Sequence, residues 1–258
     1  MSAPASIGLI IPSGNRLTEP QFNHYLPSGV GAHVTRLRMT GKFRKPLAEL
    51  KRPLVEAAEA LSDLQPSVIV FHCTANSMES GLAHENLGLD DLTPYAPVHA
   101  LGHPFGQMIS FAGIVFNGVF DKFPNVKFGF MEGGVAWLLM CLERFDRSWE
   151  THIQHDPRKR FLDLKPKEKV SEYIARHVDA GHIFVGCEGE EPDIAHAIKR
   201  IGNKPWVYSS DYPHEVNNDF CKHEINEMLE NPDISNADKA AVLHGNARRF
   251  YNLGAPGL

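Results

Sequence analysis

Long apolar runs are missing from this sequence of 258 residues. None reaches the ~18 residues that a membrane-spanning helix requires, so a membrane is not an expected partner. Residues 1–6 lack the basic and apolar stretches of a secretory signal. Cysteine is scarce: Cys73, Cys141, Cys187 and Cys221 form no CxxC pair, which argues against a disulfide framework or a zinc finger. A reducing cytoplasm is the expected compartment. Clusters of basic residues are absent too. The net charge is -5, and no stretch accumulates Lys or Arg, so nucleic acid is a poor partner. What remains is ordinary for a globular protein: 43% hydrophobic and 22% charged residues. That suffices for one sizeable α/β domain or two small ones. Histidine stands out at 14 residues, several beside Glu, Asp or Pro. Such a count raises the prospect of a metal or acid–base site.

The apolar pattern alternates short runs with helical spacing. Residues 7–11 read as a buried strand closed by Pro12-Ser13-Gly14-Asn15. Residues 32–39 read as a second strand. Leu47, Leu50, Leu54, Ala57, Ala58, Leu61 and Leu64 have helical spacing, and Pro53 suits the first turn of that helix. Residues 68–71 are continuously apolar and β-branched, as in a parallel strand covered on both faces. This is a doubly wound βα pattern. Residues 81–97 are polar and aperiodic and form the expected seam. Beyond it, strands are expected over 98–101, 126–131, 183–186 and 206–209. Helices are expected over 104–120, 135–145, 169–177, 193–201 and 237–250.

Reactive side chains in parallel α/β sheets sit at the C-terminal ends of strands. His103, Glu132, the group Glu188, Glu190 and Glu191, and Asp211 all follow expected strands. Imidazoles and carboxylates there can hold a divalent cation or move protons. Glu188, Glu190 and Glu191 read best as solvated loop residues. Asp211, framed by Ser210, Tyr212, Pro213 and His214 after an aromatic-rich strand, reads as functional.

Several motifs then occur in order: Leu101-Gly102-His103-Pro104-Phe105-Gly106-Gln107-Met108, Gly118-Val119-Phe120-Asp121-Lys122-Phe123-Pro124, Phe130-Met131-Glu132-Gly133-Gly134-Val135-Ala136-Trp137 and Arg144-Phe145-Asp146. Ser210-Asp211-Tyr212-Pro213-His214 and Gly245-Asn246-Ala247-Arg248-Arg249-Phe250 complete the series. Over residues 84–253 the chain resembles the amidohydrolase-related family that includes aminocarboxymuconate-semialdehyde decarboxylase and the resorcylate-type decarboxylases. The resemblance implies a (β/α) barrel with one catalytic divalent metal, zinc or manganese. It implies Asp211 as metal ligand and proton acceptor, and Glu132, where many relatives have His, as ligand, base or substrate contact. His103, directly before Pro104, is the candidate for the fifth-strand ligand, beside the reading of a capping or packing histidine. His214 is a pocket contact or a turn residue. The family's H-x-H or E-x-H pair after the first strand is absent, so the metal shell is incomplete.

The first third has its own resemblance. Gly8-Leu9-Ile10-Ile11-Pro12-Ser13-Gly14-Asn15 and Val70-Phe71-His72-Cys73-Thr74-Ala75-Asn76-Ser77-Met78 are similar to the first half of the aspartate/glutamate racemase superfamily, near maleate cis-trans isomerase. This implies a reactive thiol at Cys73 and substrate-carboxylate contacts from Asn15 and Ser77. The second cysteine of that mechanism has no counterpart, and a buried structural cysteine is the alternative for Cys73.

The expected architecture is therefore α/β: a partial TIM-like (β/α) barrel in the C-terminal two-thirds, completed or flanked by a doubly wound βα fragment. Domains are expected at 1–83 and 84–258. The expected function is a metal-dependent hydrolase or non-oxidative decarboxylase for a small carboxylated substrate. A metal-free Cys73 isomerase or racemase of a small dicarboxylate and a non-catalytic fusion of two half-enzymes are the alternatives. Self-association into a homo-oligomer is left open.

Overall fold

A computed structural model describes residues 5–38, 47–72, 95–155, 162–212 and 216–253. The chain divides into two compact units, Met1–Leu92 with Tyr251–Leu258, and Thr93–Phe250. The boundary at 92–93 and the seam expected at 83–84 both lie outside the described residues.

In the first unit, strand β1 (Ser6–Pro12), helix α1 (Thr18–Tyr25), strand β2 (Gly31–Leu37), helix α2 (Leu47–Ser62) and strand β3 (Val68–Phe71) follow in order. The strands are parallel, and β1 lies between β2 and β3. Pairing on both sides of the first strand is how a doubly wound sheet begins; neighbouring strands of a (β/α) barrel follow one another in sequence. β1 is buried because both its faces are covered. Ile7, Leu9 and Ile11 cluster with Phe22, Leu26 and Tyr251, while Ile10 clusters with Leu50, Ala57 and Leu61. Gly8 shares the second face. A Cβ there would lie 3.2 Å from Ile69 and 3.3 Å from Leu61, so its bare backbone admits α2 closely.

Helix α2 runs through Pro53 instead of starting at it. Its apolar stripe, Leu50, Leu54, Ala57, Ala58 and Leu61, packs on the sheet side. Burial of that stripe outweighs the hydrogen bond that proline removes. Helix α1 is weakly apolar and was not evident from spacing. Asn15 sets it up: its Oδ1 accepts from the backbone N–H of Leu17 at 3.1 Å and of Thr18 at 3.0 Å.

The second unit contains α3 (Tyr95–Phe116), α4 (Val119–Lys122), β4 (Phe128–Phe130), α5 (Ala136–His152), α6 (Val170–Ala180), β5 (Ile183–Cys187), α7 (Ile194–Ile201), β6 (Trp206–Tyr208) and α8 (Asn218–Glu230). A last helical stretch combines α9 (Asn236–Ala240), a π turn at Ala241–Gly245 and α10 (Asn246–Phe250). Its three strands are parallel in the sequential order β4-β5-β6, that of a barrel segment. No closed barrel forms among the described residues.

The strand expected at 98–101 is instead the start of α3. Val98-His99-Ala100-Leu101 is too short to show a period of its own, and here it joins the helical spacing that continues to Phe111 and Val115. His103 therefore projects from within a helix and does not follow a strand. The helix expected over 104–120 breaks at Gly118, whose φ of +60° ends α3 and opens α4.

Phe111 is fully buried at the centre of this unit. Its ring meets Phe130 at 5.3 Å and Trp137 at 5.4 Å, both edge-on. Two motif residues have structural roles. Asp146 accepts from the Ser171 amide and hydroxyl, each at 2.7 Å, and so anchors the first turn of α6. The buried Asn246 donates to the carbonyls of Asn203 at 2.7 Å and Trp206 at 2.8 Å, tying α10 to β6. Among the described residues, no helix is long and apolar enough to cross a membrane.

Candidate active site

The C-terminal edge of the β4-β5-β6 sheet gathers acidic side chains. Glu132 lies two residues beyond β4, Cys187 ends β5, and Asp211 lies three residues beyond β6. Glu132, Cys187, Glu188, Glu191, Ser209 and Asp211 line one small cleft with Gly134 and Gly186. Its cavity volume of ≈ 10 Å³ is about that of one water. Both Glu132 and Asp211 sit on left-handed backbone, with φ of +65° and +53°. Aspartate tolerates that region better than glutamate. A non-glycine residue stays there only where the surrounding structure over-determines it, a feature that clusters at functional sites.

Neighbours hold the β4 loop on two sides. Gln107 on α3 donates through Nε2 to the Met131 carbonyl. Glu191 accepts from the Val135 amide at 2.7 Å and from the Glu188 amide at 2.9 Å. One helical turn before Gln107, His103 brings Nδ1 within 3.5 Å of Glu132 Oε2, and both side chains are about a quarter exposed (27% and 28%).

Electrostatics follow from four carboxylates in one cleft, Glu132, Glu188, Glu191 and Asp211, with no Lys or Arg lining it among the described residues. Burial raises the Glu188 carboxyl above its ordinary range, and the charges of Asp211 and Glu190 add to this. Burial also raises Glu191, although its two backbone hydrogen bonds oppose the shift. The Cys187 thiol is pushed well above its usual value by burial and then by Glu191 and Glu188. It is held as a neutral thiol, unsuited to nucleophilic work.

A family model described as amidohydrolase matches residues 29–253. The chain belongs to the amidohydrolase family. The match begins inside the stretch 7–81 whose two motifs resemble the racemase superfamily. Among solved structures, an amidohydrolase from Mycobacterium avium subsp. paratuberculosis K-10 is 18% identical, with a TM-score of 0.51 over 71% of this chain. This chain spans 42% of that protein's length. At that identity the likeness shows a shared fold. An amidohydrolase II structure matches at 13% identity and a TM-score of 0.45, over 86% of this chain and 83% of its own.

For this amidohydrolase-family chain, the donors at the cleft suit a divalent cation chemically, since carboxylate and imidazole both ligate zinc and manganese. Among the described residues, however, no three His, Cys, Asp or Glu side chains gather as a metal-holding group. His103 and Glu132 come together as a pair, and Glu132 and Asp211 share the cleft. His214, expected beside Asp211, lies outside the described residues, as do Cys73 and Ser77. Asn15 belongs to the first unit, where its carbonyl oxygen serves the turn before α1.

Two contributors were not singled out by sequence. Glu191, read there as a solvated loop residue, is half-buried and bridges two loops. Gln107 carries no charge to draw notice. Its one signal is a spacing of four from His103, which places both on one helix face.

Proposed function

We propose that the chain is a metal-dependent hydrolase or non-oxidative carboxy-lyase for a small carboxylated substrate, working at the C-terminal edge of β4-β5-β6. One observation carries the reading: Glu132 and Asp211, from different strands, line a single cleft, each on left-handed backbone. Family membership supports the enzyme class.

Charge argues for the metal. At an effective dielectric near 20, two like charges ~5 Å apart repel by about 3 kcal/mol. The cleft itself holds about one water, so a substrate carboxylate would meet its four carboxylates at the mouth, where a cation would offset the repulsion. The His103–Glu132 pair and Asp211, expected from sequence as its ligands, would have to converge on that ion, because the described side chains form no three-residue group that holds it. Zinc or manganese would polarise the substrate and lower the pKa of water. Asp211 would take the proton released in hydrolysis or deliver one to the carbon that loses CO2. Glu132 would orient the substrate opposite it. Cys187 and Ser209 would wall the cleft.

Elemental analysis of zinc- or manganese-loaded protein tests this, together with CO2-release and hydrolysis assays on a panel of aliphatic and aromatic carboxylates. About one metal per chain is expected, and Asp211→Asn should lower kcat by at least ~100-fold. Metal-free protein whose turnover survives both chelator and Asp211→Asn would remove the reading.

A second reading has one observation in its favour. The order β2-β1-β3 sets the ends of β1 and β3 side by side, and Asn15 and Cys73 follow those ends in sequence. A thiol-dependent isomerase there would be chelator-insensitive and abolished by alkylation of Cys73.

A further inference from the structure

We propose that Gln107 is a positioning residue that aims the Glu132 carboxylate by holding the backbone of residues 131–133. The proposal rests on the reading of Glu132 as a site residue given above.

Gln107 is only 7% exposed. Its Nε2 donates to the Met131 carbonyl, immediately before Glu132. Its Oε1 is buried without a hydrogen-bond partner among the described residues. Reversing the amide would set Oε1 against the Met131 carbonyl, acceptor facing acceptor, so the chemistry fixes the orientation. The amide also packs against Gly133. A Cβ at that position would collide with Gln107 Oε1 and lie 2.6 Å from Cδ. Residues on both sides of Glu132 thus meet one side chain.

A packing role alone does not require a glutamine. Methionine or leucine would fill this space without leaving a buried acceptor unsatisfied. What glutamine adds is the grip on Met131. The residue that follows has a φ of +65°, a conformation glutamate keeps only under outside restraint. Helix α3 supplies both parts of that restraint. Gln107 holds the backbone, and His103, one turn earlier on the same face, lies 3.5 Å from the carboxylate itself. A carboxylate held at both ends keeps its direction when a charged ligand enters and leaves.

Gln107→Met preserves size and removes the donor, so it separates grip from packing. Two readouts are needed: the Cα and Cβ chemical shifts of Glu132, and kcat against KM with the substrate found in the panel. The variant should melt within a few degrees of wild type. Glu132 should lose its left-handed shift pattern. kcat should fall by about 10- to 100-fold while KM stays within about threefold, as for a misplaced reacting group. Unchanged Glu132 shifts overturn the proposal, and so do altered shifts with unchanged kcat. Asp211→Asn serves as the parallel control. If it leaves turnover intact, or if no carboxylate turns over, the proposed function has failed, and the Glu132 shifts alone decide for or against Gln107.

Discussion

Glu191 accepts a hydrogen bond from the Val135 amide at 2.7 Å, so a carboxylate after β5 caps the helix that follows β4. The same group takes the Glu188 amide at 2.9 Å. A negative side chain at this place also complements the N-terminal dipole of α5. Glu191→Ala strips an acceptor from two backbone donors and should destabilise the protein by about 2–3 kcal/mol in urea titrations. Glu191→Gln keeps an oxygen acceptor and relieves the crowding of carboxylates. Its loss should be about 1 kcal/mol or less. Equal losses for the two variants would mean the hydrogen bonds contribute little.

Glu132→Gly should separate stability from activity. Glycine adopts a φ of +65° without the steric cost borne by glutamate. The variant should match or exceed wild-type stability by up to ~1 kcal/mol. Turnover should be lost with the carboxylate. A clearly destabilised Glu132→Gly would show that the His103 contact outweighs the backbone strain.

Gly189 permits the β5 loop to lie on α8. A Cβ there would overlap the Glu224 carbonyl, which is backbone and cannot rotate aside. Gly189→Ala should cost several kcal/mol by overpacking, of the order of 3 kcal/mol, or displace the loop that carries Glu188 and Glu191. Thermal melting read beside Gly202→Ala isolates the clash. Gly202 has nothing within 4 Å of its would-be Cβ, but its φ of +85° with ψ of 176° is a conformation kept almost wholly to glycine, so its cost should be the backbone strain alone, on the order of 1–3 kcal/mol.

Acid sensitivity should report His177. Burial, then the positive charge of Arg176, lowers this imidazole to about 4, against the opposing pull of Asp121. Arg176 donates to its Nε2 at 2.9 Å, which leaves the proton on Nδ1, directed at His182 Nδ1, also 2.9 Å away. Tyr173 and Phe120 cover the ring. Between pH 6.5 and about 4 the unfolded chain binds a proton at this position that the folded chain refuses. Stability therefore falls as pH drops through that window, by an amount on the order of 2–3 kcal/mol, and levels off below it. Glu191 and Glu224, raised by burial, change in the opposite sense. The comparison of wild type with His177→Gln isolates the histidine: the variant should show a shallower decline in its urea midpoint over the same range. Parallel declines would assign the effect elsewhere.

Strands such as Val68–Phe71 and Ile183–Cys187 were legible because each is a short apolar run. Helix α2 was legible from its stripe. Residues 98–101 misled because four residues with three apolar ones fit strand and helix alike, and the neighbours over 104–116 decided for helix. Helices α1 and α8 escaped notice because neither has a strong apolar face. Within the motifs, sequence could not sort roles. Asp146 and Asn246 hold elements together, whereas Glu132 and Asp211 face the cleft, and all four are polar residues in equally distinctive surroundings.

By itself the sequence determined the alternation of strand and helix and the family, because both are written in local spacing and ordered motifs. It also determined that acidic residues follow the later strands. Tertiary structure decided which of those acids meet. Sheet order, the left-handed turns at Glu132 and Asp211, and the contacts of Gln107 and Glu191 depend on residues far apart in the chain. Such contacts form only when burial of the apolar faces brings the elements together, and no local pattern encodes the partner on the other side.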